Sequence, residues 1–293
     1  MKTLIRMLSV ILLILFGFST GAFADPERGI VRAGGSTTLL PIIVKCASDF
    51  MEKYKTWDKV DASFPPDDIV VFVSGGGSGF GIRSAINGTV QIGLASRNLK
   101  EKEKKILGQH TTFLVGKDAV VIAANRDNPI SSVKEAFTSI ELAEIFSGNK
   151  RLYSEINASL PDQQIVLLVR DSGAGSAEMF QDLIMKDLNV SADALQLPSQ
   201  GALLKKLETN KAAIGYISSG LANSSDKLKS FSLEDVYPSN ENVINGSYSF
   251  TRPLFMVTKG SPDVRVKHFI DYVLGEGQAV VKASHYVPVA SLE

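Results

Sequence analysis

Ile69-Val70-Val71-Phe72-Val73-Ser74-Gly75-Gly76-Gly77-Ser78-Gly79 reads as a short apolar strand that runs into a glycine-rich turn and then into a helix at 78–87. The same design recurs twice. A strand at 30–33 meets Gly34-Gly35-Ser36-Thr37-Thr38 ahead of a helix at 39–55. A strand at 165–169 ends in Arg170, before Gly173-Ala174-Gly175-Ser176 and a helix at 176–188. A helix N-terminus leaves backbone N–H groups unpaired and carries a partial positive charge. Glycine lets an anion come close to those groups, and hydroxyls add donors. Any one of the three segments also fits ordinary helix capping. Three of them, each after a strand, point to a shared site for a tetrahedral oxyanion.

The rest of the chain repeats the alternation. Ile42, Ile43, Cys46, Phe50 and Tyr54 share one face of the helix at 39–55, and Pro41 fits only near its first turn. Strands are expected at 91–95, 119–124, 214–217 and 253–258. Thr138-Ser139-Ile140-Glu141 has capping-box form and opens a helix through Phe146 that Gly148 closes. Helices are expected at 201–208, 264–274 and 278–282, and a surface loop at 222–225. Alternating strands and helices imply a largely parallel α/β architecture. There is no internal repeat.

Two arginines stand at strand ends. Arg97 follows Gln91-Ile92-Gly93-Leu94-Ala95-Ser96, and Arg170 precedes the third glycine turn. A forked guanidinium suits oxyanions, and in α/β proteins ligands gather at the carboxyl ends of strands. A solvated surface charge is the alternative for either one. Asp171 either pairs with Arg170 or faces solvent.

Catalytic motifs are not spelled. No glycine segment matches G-x-x-x-x-G-K-[ST], G-x-G-x-x-G does not close at Phe80 or Ile82, and no G-x-S-x-G elbow exists. Hydroxyls, amides and arginine hold an anion without transforming it, so the chain is expected not to be an enzyme. His110, His268 and His285 match no metal spacing, and neither a metal nor another cofactor is expected.

Residues 1–24 carry Lys2 and Arg6, an apolar run at 8–18 and a small-x-small site at Ala22-Phe23-Ala24, the layout of a secretory signal peptide. The run is about 11 residues, short of the roughly 20 that span a bilayer. No cysteine stands at the cleavage point, so no lipid anchor is expected. The whole chain has 31 basic and 31 acidic residues. Without Lys2 and Arg6 the balance is about −2, which argues against a nucleic-acid binder held by bulk charge. Cys46 is the only cysteine, so no internal disulfide forms; it reads as a packing residue, with a reactive thiol as the alternative.

With these residues in view, the chain resembles the periplasmic phosphate-binding proteins of phosphate ABC transporters over essentially its whole mature length. Ala33-Gly34-Gly35-Ser36-Thr37-Thr38 is similar to the family's first phosphate loop. The stretch 75–97 is similar to G-G-G-S-G-x-G … G-T-V-D-I-G-x-S-S-R, and 170–176 resembles R-x-x-G-S-G-T. Ile145-Phe146-Ser147-Gly148, Ala213-Ile214-Gly215-Tyr216-Ile217 and Thr251-Arg252-Pro253-Leu254 are also typical of the family.

The resemblance implies a type II periplasmic-binding fold. Two α/β lobes would be joined by crossover strands near 112–124 and 249–257, with the ligand in the cleft between them. Lobe 1 would be 25–115 with 252–293, and lobe 2 would be 116–251. It also implies a monomeric periplasmic receptor that delivers inorganic phosphate to the permease and ATPase of an ABC importer. The contacts it carries over are Ser36, Thr37, Thr38, Ser78, Gly79, Ser96, Arg97, Arg170, Gly175 and Ser176. Three positions depart from the family pattern: Ala174 for serine, Gln91 for aspartate and Ala95 for serine. Some members of the family have a carboxylate at the position of Ser96, where it accepts the proton of hydrogen phosphate. Another oxyanion such as sulfate, molybdate or tungstate is the alternative ligand. A secreted phosphate-ester enzyme and an adhesion or signalling module are the alternative functions.

Overall fold

The computed structural model describes residues 29–109 and 111–292. The expected signal peptide at 1–24 and His110 lie outside the described residues. The strands in chain order are β1 (Ile30–Gly35), β2 (Val70–Gly75), β3 (Ile92–Ala95), β4 (Thr112–Asn125), β5 (Ala136–Phe137), β6 (Val166–Arg170), β7 (Leu195–Leu197), β8 (Ala213–Ser218), β9 (Leu228–Leu233), β10 (Thr251–Val257) and β11 (Val287–Pro288). They join in the order β2-β1-β3-β10-β4-β8-β6-β7, with β9 and β11 on β4 and with β5 on β9.

Pairing is parallel at the two ends of this path and antiparallel in the middle. β1 is parallel to β2 and β3, and β6 is parallel to β7 and β8. β10 is antiparallel to β3 and β4, and β4 is antiparallel to β8. The expectation of a largely parallel architecture thus holds at each end, while the two long strands between them run against it. Pro253 sits inside β10, and the register with β4 shifts just after it, between Leu254 and Phe255. A proline cannot donate to the ladder, and a bulge relieves the mismatch.

The buried apolar residues explain the division into two lobes. One core draws on residues 31–115 and 254–286. The other draws on residues 119–250 and Val287. β4 passes from Val115 in the first to Ala119 in the second, and β10 takes the chain back to Leu254. The first core is anchored by the helix Leu40–Tyr54, whose Ile42, Ile43, Cys46 and Phe50 are buried. The Phe50 ring meets Trp57 at 5.9 Å and Phe269 at 5.5 Å. Cys46 is fully buried, and burial pushes its thiol pKa up to about 12, so it packs and does not react.

The capping box is present. Glu141 N–H donates to Thr138 Oγ1 at 3.1 Å, and Thr138 N–H donates to Glu141 Oε2 at 2.9 Å. The helix expected at 176–188 differs in form. It is α-helical over Gly175–Phe180 and then widens into a π-helix at Gln181–Met185. Gln181 Nε2 donates to the carbonyls of Lys186 and Leu188, both at 2.8 Å, which ties off the widened end. The segment expected as a loop at 222–225 closes a short helix, Ser219–Asn223, with Ala222 buried. Among the described residues, no helix is long and apolar enough to cross a membrane.

Candidate functional site

Register brings the turns together. Gly35 pairs with Gly75 of β2 and with Leu94 of β3, so three parallel strands end level. Gly35 has φ +138°, and a Cβ there would lie 2.3 Å from Leu94 O, so only glycine lets these strand ends close up. The turns that follow carry Ser36, Thr37 and Thr38 after β1, Ser78 after β2 and Ser96 after β3. From the other lobe, Arg170 ends β6, and Gly175 and Ser176 open the next helix. These eight residues line one tight cavity, together with Gly77 and Ala174.

Contact between the lobes is direct here. Arg170 Nη1 donates to Thr37 Oγ1 at 3.1 Å. The backbone N–H of Gln200 donates to the same oxygen at 3.3 Å. A Cβ on Gly175 would lie 2.7 Å from Ser96 O and 2.8 Å from Ser78 Oγ, so glycine is what allows this approach. The Arg170 side chain is almost wholly buried. Its Nε donates to Leu197 O at 2.9 Å, and its Nη2 donates to Pro198 O at 3.1 Å and to Asp171 Oδ1 at 2.8 Å. Burial lowers its pKa from the ordinary arginine value, and Asp171 works against that. Asp171 therefore pairs with Arg170, on the side away from Thr37. Among the described residues, no carboxylate lines the cavity.

Two of the expected contacts are placed elsewhere. Gly79 donates its N–H to Gly173 O at 3.1 Å, a bond between the lobes. Arg97 turns from the cavity and makes a fork with Glu103, two bonds of 2.8 Å. Its Nε lies 3.2 Å from Glu178 Oε1 of the other lobe, whose Oε2 also meets Lys100 Nζ at 2.9 Å. Burial opposes the Arg97 charge, but Glu103 and Glu178 outweigh it and hold its pKa above the ordinary arginine value. The three departures from the family pattern also find their places. Ala174 is buried against the cavity and Ala95 is buried in β3. Gln91 stands at the far end of the sheet, where it accepts from Arg32 N–H at 2.8 Å and donates to Ile30 O at 3.1 Å.

Behind Thr38 lies a buried network. Arg252 donates to Asp118 Oδ2 through Nε and Nη2, at 3.0 and 2.8 Å, and to Thr38 Oγ1 through Nη2 at 2.9 Å. Asp118 Oδ1 accepts from Ser218 and Ser219 hydroxyls at 3.0 and 3.1 Å. Both charged side chains have no exposure. Burial raises the Asp118 pKa, while Arg252 and the serines pull it down. Sequence reasoning gave these residues no role. The signal available was a charge inside each long apolar strand, since a buried charge needs a partner. Gln200, which joins Thr37 to Ser176, carried no such signal.

A model of the PBP superfamily domain matches residues 20–276. The chain belongs to that superfamily. Its curated relatives include the phosphate-binding protein PstS of Staphylococcus epidermidis RP62A, 29% identical over 92% of this chain and 82% of the relative. PstS of Bacillus subtilis 168 is 29% identical over 94% and 88%. Among solved structures, a putative phosphate ABC transporter substrate-binding protein with bound phosphate from Clostridium perfringens superposes with a TM-score of 0.75. It is 27% identical, and the match covers 89% of this chain and 99% of that one. An ABC-type phosphate transport receptor from Vibrio cholerae, 23% identical with a TM-score of 0.66 over 88% and 99% of the two chains, shares the fold. The fold of this superfamily member is the type II arrangement of two α/β lobes, joined by β4 and β10, with the cleft between them.

Proposed function

We propose that this chain is an extracytoplasmic receptor that binds inorganic phosphate between its two lobes and delivers it to an ABC importer. One observation carries the reading. Turns from both lobes close on a single cavity lined by hydroxyls, helix-opening glycines and the buried Arg170, with no carboxylate among the described lining residues. Such a set donates hydrogen bonds to an anion, and charge-assisted donors in a desolvated site bind it well. The names of the relatives agree with this ligand and this transport role.

The contacts are Ser36, Thr37, Thr38, Ser78, Ser96, Arg170, Gly175 and Ser176. Lobe 1 is 25–115 with 252–293, and lobe 2 is 116–251. The lobes open and close by hinging at β4 and β10, and the closed form docks on a permease whose ATPase drives import. Residues 1–24 export the chain as a signal peptide, and it works as a periplasmic monomer. It is a receptor and not a catalyst: the lining hydroxyls have no carboxylate or imidazole base among the described lining residues.

Titration calorimetry of the mature chain tests this. Phosphate binds one to one, and Arg170→Ala abolishes binding, because the loss of a buried charged donor costs roughly 2–5 kcal/mol. Undiminished phosphate affinity in Arg170→Ala would sink the site. A second reading, a receptor for another tetrahedral oxyanion, is favoured by the same lack of a carboxylate acceptor; sulfate and molybdate titrations on the same sample decide it.

A further inference from the structure

Among the described residues four tyrosines are buried: Tyr153, Tyr216, Tyr248 and Tyr286. Three of them donate their hydroxyl hydrogen to a backbone carbonyl. Tyr153 donates to Ala212 O at 3.1 Å, Tyr248 to Val120 O at 2.8 Å and Tyr286 to Thr38 O at 3.4 Å. Tyr216 does not. Its oxygen accepts the N–H of Arg170 at 3.1 Å, and no group among the described residues accepts its hydrogen. Burial pushes its pKa up to about 12, so the hydroxyl keeps that hydrogen at neutral pH. A buried donor without an acceptor costs free energy, and such a group calls for a partner.

Tyr216 stands in the wall of a second cavity, of about 470 Å³, which shares only Arg170 with the anion cavity. Its volume is that of a small-molecule site. Val169 and Phe180 give it an apolar side, and the Phe180 ring stacks on Tyr216 with centroids 4.2 Å apart. Asp182, from the widened π-helical turn, lines it as well. Turns of this kind are frequent at functional sites. The charges of the lining do not cancel. Lys100 pairs with Glu178, and Arg170 pairs with Asp171, while Asp182 has no ion-pair partner among the described residues.

We propose that this second cavity binds a small, uncharged organic molecule with an apolar body and a carbonyl oxygen, and that the oxygen accepts the Tyr216 hydrogen. The body lies against Val169 and Phe180. A carbonyl supplies the acceptor that the protein lacks, and a hydrocarbon of the same shape would leave the donor unpaired. A carboxylate would also accept, but it would meet the uncompensated charge of Asp182. Apart from Lys100, the lining comes from residues 169–216, all in one lobe. The site therefore depends neither on closure of the cleft nor on which anion the cleft holds.

Ligand-observed NMR titrations of the mature chain test this with three probes: benzamide, benzoate and toluene. Benzamide joins a ring to an uncharged carbonyl, benzoate adds the charge, and toluene lacks an acceptor. Benzamide binds with a dissociation constant on the order of millimolar, as its few atoms allow. Benzoate binds at least about threefold more weakly. Tyr216→Phe weakens benzamide by about three- to tenfold and leaves toluene unchanged, which separates the lost hydrogen bond from a disturbed cavity. Ala177→Leu, at a lining residue outside the anion site, fills the cavity and abolishes binding of benzamide and toluene. Val190→Phe fills it from another wall and serves if Ala177→Leu does not fold. The proposal is overturned if benzamide fails to bind, binds no better than benzoate, or binds Tyr216→Phe as well as the wild type. Equal losses of benzamide and toluene in Tyr216→Phe, or undiminished benzamide binding in a folded, cavity-filled variant, overturn it as well.

Discussion

Arg97 Nε stands 3.2 Å from Glu178 Oε1, a contact that crosses from one lobe to the other just outside the cavity. Lys100 reaches the second oxygen of the same carboxylate. The Arg97 side chain is only 6% exposed, so the pair is partly desolvated and screened less than a surface pair. It exists only while the lobes are together and adds to the stability of the closed form. Glu178→Gln is expected to weaken phosphate binding by about 1 kcal/mol, or roughly fivefold, mainly through faster release. Stopped-flow release kinetics check this, and unchanged release rates would show that the contact contributes nothing to closure.

Glu103 holds the other side of Arg97. Burial opposes its charge, but the Arg97 fork and the Lys100 N–H outweigh that and bring its pKa below the ordinary value of 4.5. A carboxyl lowered on folding contributes stability that is present above 4.5 and lost as pH falls through the folded value. Urea midpoints taken from neutral pH down through this window should fall, and Glu103→Gln should flatten that part of the decline. An identical slope in the variant counts against the pairing.

The fully buried Asp118–Arg252 pair behaves differently. Removing one partner strands the other charge in the core, at a cost of about 3–5 kcal/mol. Asp118→Ala is thus expected to lower stability by about that amount, measured by urea unfolding of the ligand-free chain. Replacing both, as in Asp118→Leu with Arg252→Met, should recover most of it. Thr38 loses its Arg252 donor in the double variant, so phosphate affinity should stay reduced when stability returns.

Much of the fold was legible because local chemistry decided it. The capping box of Thr138 and Glu141, the strand-end glycines and the one-faced helix at Leu40–Tyr54 each rest on residues close in sequence. The helix Glu101–Leu107 was not foreseen, because its sequence lacks an apolar stripe; Glu103 holds its start by accepting Lys100 N–H while it pairs with Arg97. Six of the eight cavity residues lie in the three turns, Arg170 was legible from its strand end, and Ser96 came only from the family resemblance; in the first lobe the strand register sets the turns level. The direction taken by Arg97 was not legible. It is set by Glu103, six positions on, together with Glu178, 81 positions away in a different lobe, and no motif in the sequence marks either carboxylate as the partner of Arg97.

Gly175 gives the sharpest test of closure. Its α-carbon faces Ser96 O and Ser78 Oγ across the gap between the lobes, and a Cβ would come within 2.7 and 2.8 Å of them. Neither contact is with the flexible end of a long side chain, so the lobes must stand further apart in Gly175→Ala. Overpacking of this kind costs about 1–3 kcal/mol, which corresponds to a loss of about five- to 150-fold in phosphate affinity. The cost falls on the closed form alone, so the thermal midpoint of the ligand-free chain should change little if that chain is open. Phosphate should also raise the midpoint of the variant less than it raises that of the wild type. Wild-type affinity in Gly175→Ala would mean that the ligand is held without the close approach of Gly175 to Ser96.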